Sequence, residues 1–208
     1  MRSRYASRAG KYLQENLKLD PGTAEVVSYG AEVALLGVLG LASILAVAAL
    51  LGCVPETLAV VLVLFLMRST AGGAHCANPV SCNIAGAVII PLLGKVSAVW
   101  GSRLVSVESL LVIGVIVLGM VLWLAPVDNP NKPIRTRRHR RRLKLIAVLF
   151  IGVAVAAQLI MLGYSQEYLS MVAAVSCALA WGGLILTQLG WRVMALFDRL
   201  SQAFGVSG

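Results

Sequence analysis

The sequence predicts an all-α polytopic membrane protein with six transmembrane helices and an N-terminal amphipathic interfacial helix. Three observations carry this. Only 13% of the 208 residues are charged, where an ordinary soluble domain has about 25%. Hydrophobic residues make up 59% of the chain, and the mean hydropathy is +0.85. Several apolar runs approach the ~20 residues needed to cross a bilayer. A single integral membrane domain over residues 1–208 follows, because lipid takes the place of a large buried core.

Residues 1–20 read as an amphipathic helix. Tyr5, Ala9, Tyr12, Leu13 and Leu17 recur at helical spacing, with Arg2, Arg4, Arg8, Lys11 and Lys18 among them, a pattern suited to the membrane interface. The first apolar stretch begins only near Val33, which argues against a cleavable signal peptide. Asp20-Pro21 resembles an N-cap followed by proline at the first helical position, so the next helix starts there and enters the membrane near Ala31.

Six apolar segments, at 31–52, 55–67, 83–100, 105–125, 144–163 and 168–190, make a six-helix bundle over 31–190. The second is short: Thr57 to Met67 is eleven residues. It crosses only by thinning the bilayer or by adding polar neighbours buried in the bundle. Charge supports the crossing. If all six segments span, one side holds the five N-terminal cations, Arg68, the eight between Lys132 and Lys144, Arg192 and Arg199. The other side keeps Lys95 and Arg103. By the positive-inside rule both termini and a basic loop at 126–143 are cytoplasmic, in a multi-pass protein of the cell membrane. The basic charge flanks apolar helices, so anionic lipid is the expected partner and nucleic acid is not.

The stretch RSTAGGAHCANPVSCN, residues 68–83, breaks the apolar monotony. A cytoplasmic thiol stays reduced, and a neighbouring imidazole can take its proton to make the nucleophilic thiolate. His75 and Cys82 are candidates for that pair. In an unbroken helix they would stand ~10.5 Å apart, so the chain has to fold back, and Asn78-Pro79 offers the break. Gly72-Gly73 offers positive φ or close approach to a substrate. The same residues also fit an ordinary polar loop. His75, Cys76 and Cys82 supply three metal donors, but their spacing fits no zinc motif, and no metal or cofactor is expected. Cys53 and Cys177 read as packing residues. Glu32 and Glu108 lie at segment ends, where an ionisable side chain reaches an interface or a partner.

Arg68-x-x-Ala71-Gly72-Gly73-x-His75, with Cys82 six residues beyond, resembles the signature of the accessory gene regulator B (AgrB) family. Ala125-Pro126-Val127-Asp128-x-x-Asn131-Lys132-Pro133 resembles a second stretch of that family. The likeness covers roughly residues 5–195. It implies a membrane cysteine endopeptidase, a thiol protease of quorum sensing. Such an enzyme cleaves the C-terminal segment from an AgrD-like precursor peptide and promotes its cyclisation to a thiolactone or lactone autoinducing peptide. On that resemblance Cys82 is the nucleophile and His75 the general base. Arg68, Gly72 and Gly73 shape the site or the oxyanion contact, and Lys132 marks the second motif. Family members resemble homodimers. Cys76 stands where the family often has a small unreactive residue.

Arg135, Arg137, Arg138, Arg140, Arg141 and Arg142 form a dense cluster that suits either the acidic tail of such a precursor or simple topology and lipid attraction. Gly37, Gly40, Gly114, Gly119, Gly182 and Gly183 offer close helix approach within one chain or between two. The rival functions are a small transporter or permease, for which no internal repeat is visible, and a non-enzymatic membrane scaffold.

Overall fold

The computed structural model describes residues 20–127, 136–164 and 166–203. The N-terminal amphipathic helix expected at 1–20 lies outside them, Asp20 apart. Five helices are long and apolar enough to span a membrane: α1 (Pro21–Leu51), α2 (Val54–Ala71), α3 (Pro79–Leu104), α4 (Val107–Leu124) and α5 (Arg137–Tyr164). A short 3-10 turn (Gln166–Tyr168) leads into α6 (Leu169–Leu184), and α7 (Gln188–Ala203) follows at 91° to it.

Local chemistry accounts for the helix starts. Asp20 accepts the Thr23 N–H at 3.0 Å, with Pro21 at the first helical position. Asn78 does the same for α3, accepting the Val80 N–H at 2.9 Å ahead of Pro79. Ser106 and Ser109 form a capping box on α4. The short second segment gains length from its polar end: Ser69 and Thr70 turn their hydroxyls onto the Leu66 carbonyl at 2.9 and 2.8 Å. α2 thereby reaches 18 residues, or ~27 Å at 1.5 Å per residue.

Two boundaries correct the sequence reading. The basic stretch is loop only in part: from Arg137 onward it is helix. Thr136 faces the His139 N–H at 3.4 Å, and arginine propagates helix well. The sixth segment, expected over 168–190, stops at Leu184. The Ile185 carbonyl is taken by the Ala74 N–H at 2.8 Å. Gly190 packs so tightly on Ile185 that a Cβ there would lie 2.4 Å from its Cα. A straight helix cannot make either contact.

α6 is the central helix. Leu169, Val172, Ala173, Ala174, Ala178 and Leu179 are all buried, and α6 packs against α2, α3, α4 and α5. At 16 residues it spans ~24 Å, short of the ~30 Å hydrocarbon core, but its position shields its ends from lipid. Gln158 on α5 ties to it, donating to the Val172 carbonyl at 2.9 Å and to Ser176 at 2.6 Å. Gly40, Gly114, Gly182 and Gly183 sit at contacts within the chain, while Gly37 and Gly119 face open space. α1 and α3 run parallel, with Asn83 against the Leu36 carbonyl and Lys95 against the Leu51 carbonyl. The start of α1, the end of α2, the start of α3, the end of α4, the start of α5 and the end of α6 therefore meet at one end of the bundle.

Candidate active site

At that end the chain leaves α2 through Gly72, whose N–H donates to the Arg68 carbonyl at 3.2 Å. Gly72 has φ 76°, and a Cβ on it would fall 2.3 Å from the Val127 carbonyl oxygen. No other residue fits there. The Val127 N–H returns a bond to the Ala71 carbonyl at 2.9 Å, closing a parallel bridge between residues 72 and 127. The Gly-Gly motif and the Ala125-Pro126-Val127 motif thus touch. Arg140 fastens the joint by donating to the Pro126 carbonyl at 2.9 Å. Gly73, at φ 130°, lies against Ile185. Both glycines serve the approach of protein to protein.

Arg68 reaches back over this turn. Its guanidinium donates to the Ala74 carbonyl and, at 2.9 Å, to His75 Nδ1. An Nδ1 that accepts a bond places the proton of the neutral ring on Nε2. His75 is solvent-exposed overall, but its inner edge is crowded. That desolvation, and then the Arg68 charge, push its pKa down to about 4. The ring is neutral at physiological pH. Among the described residues, Arg68 Nε is buried without a partner.

Cys82 occupies the first turn of α3, where backbone N–H groups and the helix dipole favour an anion. Arg68 also acts electrostatically on the sulfurs of Cys82 and Cys76. The Cys76 thiol lies near Cys82, and its pKa is pushed up to about 12 by burial first, then by the charges of Cys82 and Asp198. Cys76 keeps its proton. Among the described residues, the ring hydrogen bond of His75 runs to Arg68 rather than to Cys82. Cys82 and Arg68 line a cavity of about 200 Å³ between α2, α3, α6 and α7, walled otherwise by apolar side chains such as Phe65, Ile89, Trp181 and Met194. His75 stands outside that cavity.

α7 supplies residues the sequence reading missed. Its Asp198 carboxylate accepts the N–H groups of Ala77 at 2.7 Å and Asn78 at 3.3 Å. Ser201 bonds to the Ser81 hydroxyl, and the Met194 sulfur meets Cys76 at 3.7 Å. Met194, Asp198 and Ser201 follow i, i+4, i+7 spacing, one face of a helix. That spacing was visible in the sequence, although its target 120 residues away was not. Leu189, Leu196 and Leu200 are exposed on the opposite face.

Of the basic residues, Arg137 and Arg138 are exposed in the first turn of α5. Lys132 and Arg135 lie outside the described residues. Among the described residues no group of three or more His, Cys, Asp or Glu is placed to hold a metal ion.

The sequence profile of the accessory gene regulator B family matches residues 6–187. An AgrB-like protein of Clostridium perfringens (strain SM101 / Type A) is 24% identical over 196 residues, covering 89% of this chain and 91% of the relative. AgrB-like protein 2 of Clostridium perfringens (strain 13 / Type A) is 23% identical over 195 residues, with 89% and 91% covered. No solved structure matches the chain.

Proposed function

The chain belongs to the accessory gene regulator B family, and on that premise we propose that it is a membrane-embedded cysteine endopeptidase with Cys82 as nucleophile and His75 as proton carrier. Membership ties it to quorum-sensing peptide processing in a membrane. The observation that carries the finer reading is the cavity that Cys82 and Arg68 line together. A thiolate and a cationic hydrogen-bond donor are what attack on a carbonyl requires.

In the free protein Arg68 holds His75 Nδ1. When the guanidinium turns to the carbonyl oxygen of a bound precursor, Nδ1 is released to accept the Cys82 proton. The charge developing on that oxygen offsets Arg68 and raises the basicity of the ring. Cys82 Sγ then bonds to the carbonyl carbon, the C–N bond breaks, and His75 returns the proton to the leaving amine. The acyl-thioester on Cys82 is opened by an internal thiol or hydroxyl of the same precursor. The ring closes and the Cys82 thiol is restored. No oxidant or cofactor enters.

The same reading places the site end in the cytoplasm, as the clustered cations favour. It makes the exposed Arg137 and Arg138, with Lys132 and Arg135, the contact for an acidic precursor tail. Anionic lipid and a second copy of the chain complete its partners. The test uses a synthetic precursor with an amphipathic N-terminus, an internal cysteine and an acidic tail. Cleavage and a Cys82-linked thioester are expected from the wild type. They should be lost in Cys82→Ala and His75→Ala and kept in Cys76→Ser. Cleavage that survives Cys82→Ala refutes the nucleophile. Unchanged affinity after Arg137→Gln and Arg138→Gln removes the tail contact.

A further inference from the structure

The cavity beside Cys82 has chemistry beyond presenting the sulfur. Its wall carries Cys82 and Arg68 at one place and apolar side chains from four helices elsewhere, Phe65, Ile89, Trp181 and Met194 among them. A carbonyl carbon within bonding distance of Cys82 Sγ belongs to one residue, whose Cα is one bond away. The side chain of that residue has the shortest path into the cavity. An ionised or amide side chain would leave its own groups unpaired there. Phe65, one of the lining side chains, is exposed on the apolar helix α2, so a lipid acyl chain is the competing occupant.

We propose that this cavity is the subsite for the side chain on the acyl side of the scissile bond, and that it selects a large aliphatic or aromatic residue. The inference rests on the peptidase reading for its meaning in catalysis. The subsite itself is a property of Cys82 and its walls. Trp181 and Ile89 bound its size. Gly86 also lines it, and a Cβ there would meet Ile44 and Ile90 at 3.7 and 3.9 Å, ordinary contact distances. Gly86→Ala therefore narrows the cavity without forcing the helices apart.

The test measures alkylation of Cys82 by acetyl-X-chloromethyl ketones, with X as Gly, Ala, Leu, Phe or Asp. Mass spectrometry reads the rate on the full chain in detergent, normalised to iodoacetamide at the same sulfur. Cleavage of the synthetic precursor is followed in parallel. Leu and Phe are expected to react about tenfold or more faster than Gly and Asp, the scale of apolar-pocket discrimination. Gly86→Ala should lower the Phe-to-Leu ratio, and Trp181→Ala should raise it. Rates independent of X in the wild type overturn the subsite, whether or not the precursor is cleaved. So does a ratio untouched by either variant, and so does a preference for X that disappears when an acyl-chain lipid is restored. Graded labelling in a protein that cleaves no precursor retains the subsite and sinks the peptidase reading instead.

Discussion

At the end of the bundle away from the site, the helices are closed mostly by residues near them in sequence. Gly52, at φ 65°, turns its N–H onto the Ala49 carbonyl at 3.1 Å. Ser106 and Ser109 exchange bonds at 2.9 and 3.1 Å. Arg103 lies over the Trp100 ring at 5.1 Å. Lys95, reaching the Leu51 carbonyl, is a long-range exception. At the site end the closures are distant: Ala71 with Val127, Ala74 with Ile185, Ala77 and Asn78 with Asp198, Ser81 with Ser201. Local closure needs only the right cap, whereas the site exists only once α4, α6 and α7 have all docked. Damage at the two ends should therefore differ in kind. Changes at the far end cost stability alone, and changes at the site end cost geometry.

The largest effect is expected at the sulfur itself. Cys82→Ala should lower precursor cleavage by at least about a thousandfold, while Cys76→Ser retains it, as measured by peptide mass spectrometry. Next comes a matched pair of glycines. Gly52→Ala meets open space and costs about 1–2 kcal/mol for its positive φ. Gly72→Val should cost more than the ~1–3 kcal/mol of backbone strain, because it also collides with the Val127 carbonyl. Thermal melting in detergent compares them, and equal losses would erase the contrast between the ends.

Asp198→Ala removes the acceptor for two backbone N–H groups beside Cys76. Cleavage should fall about tenfold, the factor that matches 1.4 kcal/mol, below the ~1.5–3 kcal/mol of a charged hydrogen bond. Asp198→Asn, which keeps one carbonyl acceptor, should recover part of the loss. Recovery by Asn but not by Ala separates positioning from a general loss of packing.

A smaller effect tests the Arg68–His75 contact. The folded ring titrates at about 4, against 6.5 for an ordinary histidine. In Arg68→Gln its pKa should rise part of the way back, since burial, the larger cause, remains. In a His139→Gln background, diethyl pyrocarbonate should modify His75 more slowly in the variant than in the parent at pH 5, because less free base is present. Linkage has the matching sign. The unfolded chain takes up the His75 proton first, so this contribution to stability is complete above pH 6.5 and declines as the pH falls toward 4. Smallest of all, Ser106→Ala should cost about 1 kcal/mol of melting stability and leave cleavage unchanged.

Much of the site was legible from residue types. His75, Cys82 and the paired glycines stood out by contrast with their apolar surroundings, Arg68 by the family resemblance, and the Asn78-Pro79 break is where α3 begins. The partner of His75 was not legible. Sequence spacing offers Cys82, whereas the structure turns Nδ1 to Arg68 and sets Cys76 against Cys82. Chain spacing limits reach, but it does not choose among several groups already in one turn. Asp198 was missed for a related reason: an acid in a C-terminal amphipathic stretch reads as a solvated charge until its target is known.

Low charge, apolar run lengths and the distribution of cations were enough to determine a polytopic helical membrane protein, because burial in lipid is set by composition along each segment. The helix starts at Asp20, Asn78 and Ser106 were fixed by their own side chains, since capping is local. Tertiary contact alone decided that the final span breaks at Ile185, that the two motifs join through Gly72 and Val127, and that Cys82 opens into a cavity with Arg68. Each of these depends on groups 50 or more residues away meeting in space, and no local preference encodes such a meeting.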